Sequence, residues 1–280
     1  MDNPIQKPAS TPVLDDNHGE RMVPEISGVE VFWEHVYRYA FAAKYVSGKR
    51  VLDVACGEGY GSAALREAGA GHVIGVDISE AACVHTNRKY GIETWQGSAE
   101  KLPLPDRCVD VIVSFETIEH LRDPLCFLDE CLRVLAESGM LVISTPNKGV
   151  YGWTDGARNP HHCSEMTRVE FSKALKSRFR IVELFTQRPH SAHWWSLRSI
   201  AAEKFPGSHI GWIRRMQRSA RFRLAPKFYR DPPGAARSSA VETIARVRRK
   251  SHSFLNPFVV RPLRERTGEV PTYLIATALR

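Results

Sequence analysis

The sequence predicts an α/β fold built on a mostly parallel sheet, and three observations carry that prediction. Val51-Leu52-Asp53-Val54-Ala55-Cys56-Gly57-Glu58-Gly59-Tyr60-Gly61 is an apolar run that breaks into a glycine-rich turn. After a helix-like segment, Gly75-Val76-Asp77-Ile78 is a second apolar run that ends in aspartate. Beyond these, short apolar runs keep alternating with helix-period segments, the pattern of a parallel sheet covered on both faces. The first two runs have the layout of a βαβ unit for a nucleotide-like ligand. Glycines without side chains let backbone N–H groups approach it, and a carboxylate on the next strand accepts from ribose hydroxyls. Asp77 stands 20 residues after Gly57, near the spacing this arrangement needs.

The elements follow in order. Residues 1–28, rich in Pro, Asp and Asn, are expected to be disordered or loosely attached. In 29–47, Val31, Phe32, Val36, Tyr39, Ala40 and Ala43 form one helical stripe, with Gly48 as the expected C-cap. Strands are expected at 50–55, 72–76, 93–96, 109–114, 140–144 and 180–185, and helices at 61–68, 80–89 and 124–137. A further helix should start after Thr167-Arg168-Val169-Glu170, which fits the capping box. Residues 272–279 read as one more strand. That leaves 188–271 as an insertion before it, with helix-like pieces near 194–203 and 237–250.

Composition is that of a globular chain, with 43% hydrophobic and 25% charged residues. No apolar run approaches the ~20 residues needed to span a bilayer, and the first 28 residues lack a signal-peptide core. Cys56, Cys83, Cys108, Cys126, Cys131 and Cys163 form no C-x-x-C pair and read as reduced thilols of a cytoplasmic protein, with no zinc framework. The net charge of +8 is uneven. Residues 188–268 hold 18 Lys and Arg against 4 Asp and Glu, while the remainder holds 21 against 27. A basic insertion of this kind suits an anionic partner: a membrane surface, a phosphorylated carrier or, less well, nucleic acid.

The glycine pattern alone serves several cofactors, and other residues narrow it. Asp53 precedes the glycines, where a carboxylate can face the amino group of a methionine moiety. Ser62 stands where a dinucleotide fingerprint has its third glycine. Gly97-Ser98-Ala99-Glu100 leads on toward Val109-Asp110-Val111-Ile112-Val113-Ser114-Phe115-Glu116. With these motifs, 29–187 and 272–279 resemble the class I S-adenosylmethionine-dependent methyltransferases of the methyltransferase domain 11 type. The resemblance implies a Rossmann-like sheet of seven strands, the last antiparallel beside strand five. It implies a domain of 29–187 plus 272–280, with 188–271 as acceptor lid or docking element. Asp53 and the backbone of Gly57 and Gly59 would hold the methionine end, Asp77 the ribose, and Ile78, Ser98 and Ala99 the adenine. In relatives the first helix closes over the cofactor, so Arg38 and Tyr39 would reach the methionine carboxylate, with core packing the alternative role for Tyr39.

The acceptor side is read from Glu116-Thr117-Ile118-Glu119-His120, which follows strand four at the carboxyl edge of the sheet. If this segment is helical, positions 116, 119 and 120 share a face, and two carboxylates and an imidazole make a candidate site for magnesium or another divalent cation. Asn159-Pro160-His161-His162 would supply a further ligand, with His162 the tentative choice. Without metal, His120 or His161 serves as general base. Capping and loop-positioning roles explain the same residues without chemistry. The motif resembles ubiquinone-biosynthesis O-methyltransferases and small-RNA 3′-terminal ribose methyltransferases. The 160–165 loop, 19–25 and the early Glu34-His35 and Arg38-Tyr39 resemble methyltransferases of bacterial glycan clusters. The expected activity is O-methylation of a hydroxyl on a glycan, glycolipid or related small molecule. Alternatives are RNA ribose or quinone-precursor methylation, a non-catalytic cofactor-binding protein, and a nicotinamide oxidoreductase.

Overall fold

The computed structural model describes residues 21–24, 27, 29–150, 159–190, 240–249, 260–263 and 270–280. Helix α1 (Val29–Ala42) precedes β1 (Arg50–Val54), α2 (Tyr60–Glu67), β2 (His72–Asp77), α3 (Glu80–Tyr90), β3 (Glu93–Gln96) and β4 (Val109–Phe115). A short 3₁₀ turn (Ile118–His120) leads to α4 (Pro124–Val134) and β5 (Leu135–Pro146). Then come α5 (Arg168–Lys176), β6 (Ile181–His190), α6 (Ala240–Arg249), β7 (Arg261–Pro262) and β8 (Val270–Leu279).

The strands form one sheet in the order β3-β2-β1-β4-β5-β8-β6-β7. Strands β1 to β5 pair in parallel, and β8 runs antiparallel between β5 and β6, where the resemblance placed the last strand. Among the described residues the sheet has eight strands rather than seven. The extra one, β7, comes from the expected insertion and pairs there only with β6, and Pro262 is tolerated because an edge strand needs no second set of donors.

Strand β6 runs on to His190 instead of ending near 185, because its pairing with β8 continues to Val270 and so takes in the first residues of the expected insertion. Two other boundaries differ from expectation for local reasons. Helix α4 stops at Val134 because Leu135 turns extended (φ −70°, ψ 136°) and pairs with Val109, so β5 begins well before Met140. Helix α1 stops at Ala42, followed by turn bonds from Lys44 to Phe41 and Tyr45 to Ala42. Gly48, in the left-handed region at φ +70°, does not cap it; its N–H donates to the Gly69 carbonyl.

Two apolar layers flank the sheet. One joins Phe32, Val36, Tyr39 and Ala40 of α1 and Ala63, Ala64 and Leu65 of α2 to Val51, Val113 and Ile275. The other packs Phe127, Leu128, Cys131 and Val134 of α4 and Phe171 and Leu175 of α5 against Leu52, Ile112 and Ile143. Fully burying side chains of this size contributes about 1.5–3 kcal/mol each.

The 237–250 expectation is met by α6. It buries Ala240, Thr243, Ile244 and Val247 at helical spacing, packs on α1 and α2, and leaves Arg246, Arg248 and Arg249 exposed. The 194–203 piece lies outside the described residues, as does most of 188–271. Of the 1–28 segment, residues 1–20 also lie outside them, whereas Met22 and Val23 are buried. Among the described residues no helix is long and apolar enough to cross a membrane. All six cysteines are free thiols, and Cys163 is exposed.

Candidate functional site

The carboxyl ends of β1 and β2 build one half of the site. The turn after β1 requires left-handed backbone at Ala55 (φ 58°), Gly57 (φ 56°) and Gly59 (φ 88°). Glycine is required at 59 for a second reason, since a Cβ there would lie 2.4 Å from Thr86 Oγ1 and Cγ2. At Gly57 an added Cβ would meet only the Arg21 side chain, 3.6 Å away. The Asp77 carboxylate is buried and accepts from the N–H groups of Gly57 (2.8 Å) and Ser79 (2.9 Å), so one side chain joins the glycine turn to the start of α3. Beside it Ile78 is 74% exposed, an apolar face offered to solvent next to a carboxylate. Gly97 N–H donates to the Asp77 carbonyl, which brings Ser98 and Ala99 to the same edge, and Ser98 Oγ accepts from Glu100 N–H. A glycine turn, a carboxylate and an exposed apolar face fit an adenosyl ligand.

Asp53 is sealed rather than open. It is 0% exposed and accepts from Ser62 Oγ (2.6 Å) and from the Tyr39 hydroxyl (3.2 and 3.3 Å). Burial pushes its carboxyl up to about 7, against the pull of those two hydroxyls. Tyr39 gets there by crossing edge-on to Tyr60 and Phe115 and lying on Gly61, whose absent Cβ would sit 2.0 Å from the ring. Arg38 turns away from the glycine turn. Its Nε donates to Gln187 Oε1 (2.8 Å), its guanidinium lies 4.3 Å over the Tyr273 ring, and Nη1 stands 3.3 Å from Glu116 Oε1.

The other half follows β4. Only Ile118–His120 is helical, a single 3₁₀ turn, so Glu116 does not share a face with Glu119 and His120. Glu116 is a non-glycine residue at φ 53°, a strained conformation held by Arg38 and by Ser144 Oγ, which donates to its carboxylate at 2.6 Å. The cluster that does form is Glu119, His120 and His162, whose candidate ligand atoms lie within 4.8 Å of one another. The structure thus departs from the expected ligand set by leaving Glu116 with Arg38.

His161 is exposed, and its contribution is a main-chain carbonyl that accepts from His120 Nδ1 (3.1 Å). His162, left open against His161 by the sequence, is the buried one; its Nδ1 pairs with Glu165 Oε1 at 2.7 Å. Glu119 is 0% exposed, with Thr145 Oγ1 donating to Oε2 and, among the described residues, no hydrogen bond to Oε1. Burial, then the neighbouring Glu116, raises its carboxyl well above the usual range. Ser164 ties the two loops together, its N–H donating to the Glu119 carbonyl and its hydroxyl to the Leu121 carbonyl.

The sequence reading missed one group in the first half. Glu58, between the two glycines, is buried and accepts from His85, Lys89 and Tyr90 of α3. The signal was present as His85 and Lys89, four apart on one helix face.

Comparison with known proteins agrees with this geometry. A family model of the methyltransferase domain matches residues 52–143, which run from β1 through the glycine turn, Asp77 and the Glu119 loop into β5. Residues 52–143 thus match a methyltransferase domain.

Probable S-adenosylmethionine-dependent methyltransferases of Mycobacterium tuberculosis and Mycolicibacterium smegmatis are 39% and 37% identical over 178 and 163 residues. These alignments cover 62% and 57% of this chain and 64% and 63% of the relatives, so the chain spans a little under two thirds of their length. A ubiquinone biosynthesis O-methyltransferase of Maricaulis maris is 36% identical over 107 residues, 36% of this chain and 42% of its own.

Two solved structures share the fold. One, from Thermotoga maritima, is described as a possible histamine N-methyltransferase (TM-score 0.54, 14% identical, 88% of each chain). The other is a methyltransferase from Archaeoglobus fulgidus (TM-score 0.53, 19% identical, 91% of this chain and 95% of that one).

Proposed function

We propose that this methyltransferase-domain chain moves the methyl group of S-adenosylmethionine to a hydroxyl of a glycan, glycolipid or related small molecule. The observation that carries the reading is the Glu119–His120–His162 cluster at the carboxyl edge of β4, beside the nucleotide-type half of the site. When bound, S-adenosylmethionine supplies an activated methyl group on a sulfonium leaving group. The chain's task is therefore to hold the acceptor oxygen in line and take its proton.

Asp77 holds the ribose, the Gly57–Gly59 backbone holds the methionine end, and Ile78 covers the adenine with Ser98 and Ala99 at its edge. Asp53 acts from beneath the turn, its charge facing the amino end through a sealed wall of Tyr39 and Ser62. On the acceptor side, donation from His120 Nδ1 to the His161 carbonyl leaves Nε2 as the basic nitrogen of the ring. That nitrogen takes the hydroxyl proton.

A divalent cation fits the same residues. Glu119 Oε1 is a buried acceptor without a hydrogen-bond donor among the described residues, and the Nδ1 atoms of His120 and His162 are each held by an oxygen, the arrangement that orients imidazole ligands. Two imidazoles and one carboxylate suit a first-row transition metal better than magnesium, which prefers oxygen ligands. Such an ion would lower the acceptor hydroxyl's pKa.

The exposed arginines of α6 support a role for 188–271 in docking to an anionic membrane surface or phosphorylated carrier, and a peripheral cytoplasmic location goes with it. A second reading, methylation of a quinone precursor, is favoured by the ubiquinone-biosynthesis relatives over the segment they share. The test is S-adenosylhomocysteine release on glycolipid, catechol and RNA acceptors, with and without chelator. Turnover on a glycolipid supports the main reading, and turnover on catechols alone replaces it with the second. Loss of turnover with chelator assigns the cation, and insensitivity assigns the histidine base. No turnover on any acceptor despite tight cofactor binding removes the catalytic reading.

A further inference from the structure

Glu58 is an acidic residue buried inside a glycine turn, a costly place for a carboxylate unless its charge is matched. Among the described residues, its hydrogen-bonding partners come from α3. His85 Nε2 pairs with Oε1 at 3.0 Å, Lys89 Nζ donates to the same oxygen, and the Tyr90 hydroxyl donates to Oε2 at 2.8 Å. The neighbouring residues are referred to the same helix. Thr86 Oγ1 donates to the Gly57 carbonyl at 3.1 Å, and the Thr86 side chain fills the space above Gly59. The first residues after β2 close the loop, since Asp77 accepts from both Gly57 and Ser79, the N-cap of α3.

A Gly-x-Gly turn left to itself samples many conformations, and a ligand that needs one of them must overcome that entropy on binding. Here the turn is already fixed, from a helix whose N-cap, Ser79, directly follows Asp77 and Ile78. We propose that Glu58 is a positioning residue for cofactor binding. It clamps the glycine turn to α3 so that the contacts to the methionine end and to the ribose are set as one rigid unit. The proposal rests on the assignment of this turn to S-adenosylmethionine. It adds that affinity for the nucleoside ligand is governed by four side chains that do not touch it.

The test is calorimetric titration of S-adenosylhomocysteine into the full chain and into Glu58→Gln, Glu58→Ala and Lys89→Met. Asp129→Asn, which removes the exposed ion pair to Arg178 on the far side, serves as control. Removing a hydrogen bond to a charged group predicts a Kd about tenfold higher in Glu58→Gln and Lys89→Met, and higher still in Glu58→Ala. Stoichiometry should stay near one ligand per chain, with acceptor KM and kcat at saturating cofactor unchanged.

A structural staple gives the opposite split, with lower stoichiometry or thermal midpoint and an unchanged Kd in the folded fraction. That result overturns the proposal. Because Glu58→Gln keeps the Tyr90 bond and the side-chain volume, it answers the question even if Glu58→Ala fails to fold. A wild-type chain that binds no S-adenosylhomocysteine removes the underlying assignment, an outcome distinct from wild-type binding with unaltered variants.

Discussion

Replacing Asp53 by Asn isolates a pH-dependent quantity in the nucleotide half. The folded carboxyl titrates at about 7 against an ordinary value of 3.8, because burial disfavours its charged form. The folded chain therefore binds this proton more tightly than the unfolded chain does. Its contribution to stability is fully present below pH 4 and is lost as pH rises through 7. About three pK units at 1.36 kcal/mol each make that loss about 4 kcal/mol by pH 8.

Asn occupies the same volume and accepts from Ser62 and Tyr39 through its carbonyl, but it has no proton to lose. Urea denaturation from pH 4 to 8 should show wild-type stability falling relative to Asp53→Asn across that window. The difference should build up between about pH 4 and 7. Parallel profiles would refute the assignment of a raised carboxyl at this position. The cofactor's ammonium favours the charged carboxylate, so S-adenosylmethionine binding near pH 7 should also release a proton in wild type and none in the variant. Calorimetry in two buffers of different ionisation enthalpy reads that proton directly.

Other outcomes follow from the same geometry. Gly61→Ala gains up to about 1 kcal/mol of helix propensity but drives a Cβ into the Tyr39 ring. Overpacking of about 1–3 kcal/mol and the weakened Tyr39–Asp53 bond should leave it less stable in urea, and a stabilised variant would contradict the packing. Glu119→Ala should abolish S-adenosylhomocysteine production while cofactor Kd stays nearly intact; equal loss of both would sink the acceptor-side assignment. Thr167→Ala removes a complete capping box on α5 and should cost about 1 kcal/mol in thermal or urea unfolding, with cofactor affinity unchanged.

What the sequence made legible is what local pattern encodes. Alternating apolar runs gave β1 to β4 almost to the residue. The glycine turn and Asp77 are close in sequence and share a ligand geometry. The antiparallel place of β8 followed from the family resemblance rather than from the run 272–279 itself. Contacts between distant residues were not legible. Arg38 meets Gln187 across 149 positions and pairs with Glu116 from another element, which is why Glu116 is drawn out of the expected ligand set. The 116–120 segment was misread as a possible helical face because Glu-x-x-Glu-His has helical spacing. A left-handed Glu116 breaks that periodicity without leaving a glycine to mark it. His161 and His162 are adjacent and chemically alike, and only the turn that buries one of them separates their roles.

The place of β8 has a consequence for how the protein is made. Strand β8 hydrogen-bonds to β5 on one side and to β6 on the other, so the sheet is joined in its interior by residues translated after all its other strands. Until Val270–Leu279 emerge from the ribosome, β5 presents an unpaired edge in an apolar neighbourhood, and β6 lacks its main partner. Bare edges of this kind recruit other chains. The nascent protein is thus most exposed to aggregation while the long basic segment between β6 and β8 is being synthesised.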